Sequence, residues 1–560
     1  MSVLTGIDIL GIQNYIFASN RLRDVYAASW MVEHVTDAEL IRKVPGASPP
    51  KEVLQAAGGN AILEFDDLAS AKDWTAAYTR WLWNTAPGLS AVVAHRPRDG
   101  KSLAWGVMAL RMDMARSKLE RIPDAPQLGL SVTAPCAVTG LPAVHEEFGA
   151  LLSPQIRELR KQRETAQNRW DGFLPKNIPN APDQTFAFPE ELDHMGRSHG
   201  TISRIGIVHV DGNRIGGAIR KWLERNMNPK TDDETVRREM EEWSNGLRNL
   251  AEGVLQTLCG RVSQAIHAEN GGCGLRGTPF EKGFPLVADK DRGGEGKAYF
   301  LPMRPILLGG DDLTFVCDGR IALDLAAAAV REFEKAPIPH LGEGGGEKTV
   351  TACAGVALVK AHAPFHRGYK LSEDLCKSAK QGRLKAMDDA MDDAMDDGEP
   401  DGGWMDWHLG GIRPGETVES LRKRQYQFNT HELTRRPYRV TPCGDKKPDW
   451  DWLECELLGP GKEAEDWERG FRGDTNWSQS RNRVKKLVGL VPYGSKRVER
   501  QMSAWKATAP KLEMPGGLGD GGYKDGRTAL LDAIELLDDH LRLEPDPAQI
   551  DTSNKKEAAS

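Results

Sequence analysis

Gly309-Gly310-Asp311-Asp312 stands between Pro305–Leu308 and Leu313–Cys317, two runs that alternate apolar and small residues. This is the pattern of two strands joined by a tight turn whose glycines take positive φ, and it puts two carboxylates at a hairpin tip. Adjacent acids there repel each other. A hard divalent cation such as Mg²⁺ offsets that repulsion when it binds through one or two carboxylates together with substrate phosphates. Asp211, which closes the apolar run Ile205–Val210, is the natural third carboxylate; if the two strands are neighbours, the three acids converge on one metal site. Leu375–Arg383 reads as the end of a helix on which Lys380 and Arg383 lie three residues apart. Side chains at that spacing share a face, so both could reach a triphosphate held by the metal.

The elements that must position these groups occur twice. Gly58-Gly59-Asn60-Ala61 lies early in the chain and Gly309-Gly310-Asp311-Asp312 late. Each is followed by an Ala-rich stretch with helical patterning, Asp67–Trp83 and Gly319–Glu334, and then by a Val-rich strand, Leu89–Val93 and Thr349–Leu358. Each is preceded by an apolar strand with an acid, Leu4–Ile9 containing Asp8 and Ile205–Val210 leading into Asp211. A repeated supersecondary unit predicts two copies of one α/β module. Between them, turn-rich Leu130–His145 and a charged helix over Ser153–Trp170 predict an inserted linker domain. Ala-Met-Asp-Asp, three times over residues 386–397, predicts a solvated acidic loop. From Trp404 onward, Val418–Phe428, Ser478–Val491 and Arg527–Leu541 carry helical spacing, and Gln549–Ser560 reads as a frayed end.

The composition suits a folded, multidomain chain. Its 560 residues are 39% hydrophobic and 28% charged. Without an apolar run near the roughly 18 residues that span a bilayer, a soluble, cytoplasmic protein with no membrane partner is expected. Eight cysteines in this length predict reduced thiols rather than a disulfide framework. The net charge of −7 means that any nucleic-acid contact must come from local patches. One such patch is Arg481, Arg483, Lys485 and Lys486, continuing through Lys496, Arg497, Arg500 and Lys506 with Trp477, Tyr493 and Trp505 interleaved. It could follow a phosphate backbone while aromatic rings stack on bases, or pair with an acidic protein subunit. A second candidate is Arg157, Arg160, Lys161 and Arg163, with a solvated helix face as its default explanation.

Taken together, Gly11–Phe17 with Leu22-Arg23-Asp24 and Ala28-Ser29, Asp211–Gly216, and the Gly-Gly-Asp-Asp hairpin resemble the Cas10 (Csm1/Cmr2) family, the large subunit of type III CRISPR effector complexes. Ala379–Arg383 also resembles the GGDEF nucleotide cyclases. The resemblance implies an α/β (α+β) fold: a first ferredoxin-like palm domain over 1–125, an inserted linker domain over 126–200, a second palm over 201–402 and a helical C-terminal domain over 403–560. It implies a cyclic oligoadenylate synthase that joins ATP by 3′-5′ linkages with Mg²⁺ or Mn²⁺. Its activator would be target RNA, bound with crRNA alongside Cas5-, Cas7- and Cas11-like subunits. By the same resemblance Asp311 and Asp312 are the essential acids and Asp211 is a metal ligand. Gly309, Gly310 and Gly212, with Lys380 and Arg383, attend the donor nucleotide.

Three departures qualify this. The chain enters the first palm within its opening residues, where longer members begin with an HD-type nuclease, so DNase activity is not expected. The first palm has Gly58, Gly59 and Asn60 where the second has acids; it is expected to bind no catalytic metal and to hold the acceptor ATP. Asn213 stands where a second acid is frequent, which leaves the number of metals open. Cys136–Ala143 resembles the family's zinc-knuckle segment, but the ligands for a tetrahedral site are missing and zinc is not expected. Cys259 and Cys273, with His267 between them, read as buried thiols, and His209 reads as a packed histidine. The rival readings are a diguanylate cyclase and a non-catalytic scaffold of an RNA-guided complex.

Overall fold

The computed structural model describes residues 2–121, 132–176, 178, 181–195, 203–228, 231–269, 272–278, 280–289, 298–392, 402–441, 448–459 and 468–544. The third Ala-Met-Asp-Asp block, Ala394–Asp397, and Gln549–Ser560 lie outside the described residues.

The first module runs β1 (Val3–Leu10), α1 (Ile12–Ile16), α2 (Leu22–His34), β2 (Glu52–Ala57), β3 (Asn60–Phe65), α3 (Leu68–Thr85), β4 (Ser90–Pro97) and α4 (Leu103–Glu120). Its sheet has the order β2-β3-β1-β4 and is antiparallel throughout. Helix α3 begins where the Asp67 carboxylate accepts the Ser70 N–H, an N-cap. It buries Ala71, Trp74, Tyr78 and Leu82, a three- and four-residue spacing that gives it one apolar stripe toward the sheet.

The single helix expected over Ser153–Trp170 is two, α5 (Pro154–Lys161) and α6 (Arg163–Asp171), which meet at Gln162. The break brings Arg160 and Arg163 onto Asp24 of α2, a fully buried carboxylate that also accepts the Ser19 hydroxyl at 2.9 Å. Two of the basic residues read as a solvated face are thus spent inside the fold.

The second module repeats the plan: β5 (Arg204–Gly212), α7 (Ile215–Asn226), α8 (Asp233–Gln264), β6 (Met303–Gly309), β7 (Asp312–Asp318), α9 (Ala322–Phe333), β8 (Ala352–Lys360) and α10 (Phe365–Asp392). Its sheet order is β6-β7-β5-β8, extended by β9 (Trp404–Leu409) and the short β10 (Tyr438–Arg439). In both modules the second hairpin strand lies beside the module's first strand, which lies beside its last. The mixed α/β fold and the internal repeat are therefore present. Helix α10 continues through Ala386–Asp392, so the acidic block begins as helix rather than as the expected loop. Helix α8 joins the modules: Arg237 binds Glu52 of β2 at 2.6 Å and also Glu64 of β3, whose side chain is almost wholly buried.

Gly355 on β8 sets how closely α10 can lie. A Cβ built there would stand 2.0 Å from Ser372 O and 2.3 Å from Cys376 N, both backbone atoms of the helix. Gly355→Ala must push α10 off the sheet. Overpacking against backbone costs about 1–3 kcal/mol or more, so thermal unfolding of this variant should show a lowered midpoint.

Beyond β9 come helices α11 (Val418–Tyr426), α12 (Arg481–Leu490), α13 (Ser495–Lys506) and α14 (Leu530–Leu536), and α11 and α14 meet at a buried ionic cluster. Arg436 and Asp532, each 0% exposed, meet at 2.9 Å. His408 of β9 is buried beside Arg422 and Arg436, and burial first, then these cations, push its pKa down to about 3. Below the usual histidine range the unfolded chain gains a proton that the folded chain refuses. His408 therefore contributes stability that is intact above about pH 6.5 and is lost as pH falls toward 3, at about 1.4 kcal/mol per unit. Denaturant unfolding at pH 7.5 and 5.5 should show a loss smaller by about 1 kcal/mol in His408→Phe than in the wild type.

Candidate metal and nucleotide site

Strand β5 is covered on both faces, and its period of two divides its side chains. Val208 and Val210 enter one core, Ile205 and Ile207 the other. His209 and Asp211 follow Ile207 onto the face beneath α10. The ladder places Asp312 of β7 opposite Asp211, with Cys353 of β8 on its other side. One step along, His209 lies between Thr314 and Gly355. The β6–β7 connection pairs Gly309 with Asp312 and leaves Gly310 and Asp311 as the turn; Gly310 has φ +56°, which a side chain rarely tolerates. The Gly212 N–H donates to Asp311 O at 3.0 Å, and a Cβ on Gly212 would lie 3.2 Å from the Asp311 Cβ. Gly212 thus serves to let the turn close onto β5.

The charges are crowded. Burial first, then Asp211, raise the Asp311 pKa to about 6. Burial, Asp211 and Asp311 together push Asp312 well above the carboxylate range. Lys380 of α10 supplies the countercharge, its ammonium 2.6 Å from Asp211 Oδ2 and 3.3 Å from Gly212 O. Burial pulls the Lys380 pKa down, but the hydrogen bond and charge of Asp211 outweigh it and hold the group cationic. Among the described residues, the trio whose donor atoms gather within 4.8 Å is His209, Asp211 and Cys376, not the three acids. The three acids are neighbours in strand register and in mutual charge but do not form a closed ligand set, and the Asp211 carboxylate is paired with Lys380.

The donor chemistry favours a hard cation. His209 Nδ1 lies 3.1 Å from Thr314 Oγ1, and the Cys376 thiol, its pKa pushed well up by burial, donates to Cys353 O at 3.2 Å. The thiol and one ring nitrogen of the histidine are thus engaged within the protein. The carboxylates of Asp211, Asp311 and Asp312 are oxygen donors whose repulsion a divalent ion would relieve, so the residues fit Mg²⁺ or Mn²⁺.

The first module has a reduced version of the same arrangement. Asp8 on β1 faces Asn60 on β3 just as Asp211 faces Asp312, and Lys118 of α4 binds Asp8 as Lys380 binds Asp211. Gly58 and Gly59, at φ +57° and +85°, form the turn, and Ile9 N–H donates to Gly59 O as Gly212 N–H does to Asp311 O. This register shifts the sequence alignment by one: Gly58-Gly59 match Gly310-Asp311, and Asn60 matches Asp312 rather than Asp311. A turn aligned by its glycine letters ignores which residues close the ladder. The first hairpin lacks acids, but its module retains one at Asp8.

Of the other predicted residues, Lys380 reaches the site while Arg383 is buried, with Nη1 3.5 Å from Met387 Sδ. Lys485 and Lys486 are exposed on α12, Arg481 pairs with Asp538 at 3.0 Å, and Arg483 donates to Asn476 O at 3.0 Å. Trp477 is not available to stack on a base: it is fully buried against Phe471 and Trp505. Cys259 and Cys273 are buried thiols, with pKa pushed up by burial to about 12 and 11. Sequence reasoning missed Glu373. The spacing Tyr369, Glu373, Cys376, Lys380 and Arg383, alternating four and three, marks one face of α10 and was the available signal.

An antiparallel α/β sheet of this order, duplicated in one chain and carrying acids at a single hairpin, defines a double-palm protein. Residues 204–387, which hold the second of the two, match the family model described as Cas10/Cmr2, second palm domain. No match is found among curated protein sequences. Solved structures similar to this chain include a Csm1–Csm4 cassette in complex with cA3, at 14% identity and TM-score 0.47, covering 96% of this chain and 69% of that one. A Csm1–Csm4 cassette in complex with cA4 matches at 16% identity and TM-score 0.38, covering 68% of this chain and 53% of that one. Csm1 in T. onnurineus matches at 17% identity and TM-score 0.38, covering 68% and 51%. The chain thus spans about half the length of the first structures it matches.

Proposed function

We propose that the chain is a metal-dependent nucleotidyltransferase that joins ATP through 3′-5′ linkages into cyclic oligoadenylates and releases pyrophosphate. The observation that carries this reading is Asp211 opposite Asp312, with Asp311 in the adjoining turn and Lys380 on Asp211. Asp211, Asp311 and Asp312 would hold Mg²⁺ or Mn²⁺, which neutralises charge at the α-phosphate and lowers the pKa of the attacking 3′-hydroxyl. The Gly309–Gly310 backbone leaves room for the donor nucleotide, Gly212 attends it by letting the hairpin turn close onto β5, and Lys380 would pass from Asp211 to a phosphate oxygen. Arg383, buried as it stands, would serve the same nucleotide only by turning out. Gly58, Gly59 and Asn60 would hold the acceptor ATP, whose hydroxyl is thereby oriented toward the donor. In this reading residues 1–125, 126–200, 201–402 and 403–560 are the functional units. The exposed cations of α12 face crRNA, target RNA or a neighbouring subunit of a type III CRISPR complex. Among the described residues no helix is long and apolar enough to cross a membrane.

The test is mass spectrometry of products after incubation with each nucleoside triphosphate and Mn²⁺, with and without RNA. Adenosine oligomers that vanish in an Asp311→Ala, Asp312→Ala double variant are expected. Guanosine-only products would point instead to a cyclic-dinucleotide enzyme, and no product under any condition to a scaffold.

A further inference from the structure

Helix α10 brings Cys376 and Lys380 over the acids of β5 and β7, yet its first turns are held from the other module. Asn20 Oδ1 accepts the Phe365 N–H at 3.0 Å, an N-terminal cap supplied across the interface. The Phe17 ring lies 5.6 Å from Phe365 and 4.1 Å from Tyr369. Gln13 of α1 donates from Nε2 to Glu373 Oε1, and the same oxygen accepts from Tyr369 Oη at 3.4 Å. Glu373 Oε2 accepts from Lys370 Nζ at 3.3 Å. Glu373 is only 8% exposed, so these partners replace most of the hydration of its carboxylate.

Glu373 and Lys380 are seven residues apart, two helical turns and about 10 Å along the axis on one face. A helix is stiff over that length, so a tether at Glu373 fixes the rotation at which Lys380 meets Asp211. We propose that Glu373 is a positioning residue, and that its hydrogen bond from Gln13 is the contact by which the first module sets the placement of Lys380 over the acid site. This rests on the nucleotidyl transfer proposed above. The contact makes the first module part of the machinery of the second: separation of the two would release α10 and spoil the site without touching an acid.

The test is a double-mutant cycle on the full chain, with Gln13→Ala, Glu373→Ala and both, together with Glu373→Gln, whose carboxamide oxygen still accepts from Gln13 and Tyr369. Steady-state rates with ATP and Mn²⁺ should show kcat lowered about tenfold in either alanine variant, with KM for ATP changed less than about twofold. The double variant should lose no more than the worse single, and Glu373→Gln should stay within about threefold of wild type. Amide hydrogen exchange, read without turnover, should rise along residues 369–383 in Gln13→Ala and stay unchanged in β5 and β7. Additive losses, an effect confined to KM, or unchanged exchange in α10 would overturn the proposal. A wild-type chain inert toward every nucleoside triphosphate would overturn the proposed function and the rate claim with it, whereas loss of the exchange effect alone would overturn only the contact.

Discussion

Asp311→Asn is expected to stabilise the chain at neutral pH while abolishing product formation. Burial and Asp211 raise the folded-state pKa of Asp311 from 3.8 to about 6, so ionising it in the folded protein costs free energy that the unfolded chain does not incur. The sign follows from linkage. Below pH 3.8 the group is protonated in both states and contributes nothing; the destabilisation grows between 3.8 and about 6 and is constant above. A shift of about two units corresponds to about 3 kcal/mol, an upper bound for the gain at pH 7.5. Denaturant unfolding should therefore find the variant more stable than wild type at pH 7.5 and equal to it at pH 3.5. Turnover should fall by about a thousandfold or more, since the proposed charge-stabilising cation would lose a ligand. A variant both less stable and active would mean that the acids are held for structure.

The second large effect lies far from the acids. Arg436 and Asp532 are fully buried, and Asp532 also accepts from Thr434 Oγ1 at 2.6 Å, Arg435 N at 2.8 Å and Tyr438 Oη at 2.8 Å. Arg436 lies over the Tyr426 ring, 4.4 Å from its centroid, and donates to Trp407 O at 3.2 Å. The segment Leu433–Tyr438 thereby fastens α14 to β9. Arg436→Met removes the cation and leaves Asp532 buried without its countercharge, which costs about 3–5 kcal/mol. Calorimetry should show the C-terminal helices unfolding at a lower temperature. Arg436→Met combined with Asp532→Leu should recover most of the loss, because no isolated charge remains. If the double variant is as unstable as the single, packing rather than charge holds this region.

The hairpin, the strand ending in Asp211 and the repeated module were legible because each rests on local pattern: paired glycines, alternation, and the order of elements. What escaped depended on register and on neighbours distant in sequence. The one-residue shift that sets Asn60 opposite Asp8 is fixed by ladder closure, which glycine letters do not report. The helix position of Lys380 points to a phosphate, while its bond to Asp211 depends on how close Gly355 lets α10 lie, which no local pattern reports. Arg160 and Arg163 read as solvated because nothing local shows that Asp24, more than 130 residues earlier, is buried beneath them. Trp477 looked like a stacking platform amid basic residues, yet a large apolar ring on a short helix is drawn into the core first. Helix α8, with buried residues spaced from Val236 to Val262, carries a period that is itself visible in the sequence.

The most direct measurement of the central claim is Mn²⁺ binding to the full chain, followed by electron paramagnetic resonance with and without a non-hydrolysable ATP analogue. The account predicts that bound Mn²⁺ increases with the analogue and is lost in Asp211→Asn and Asp312→Asn, while Asp8→Asn retains it. Equal Mn²⁺ binding in wild type and in both second-module variants would contradict it.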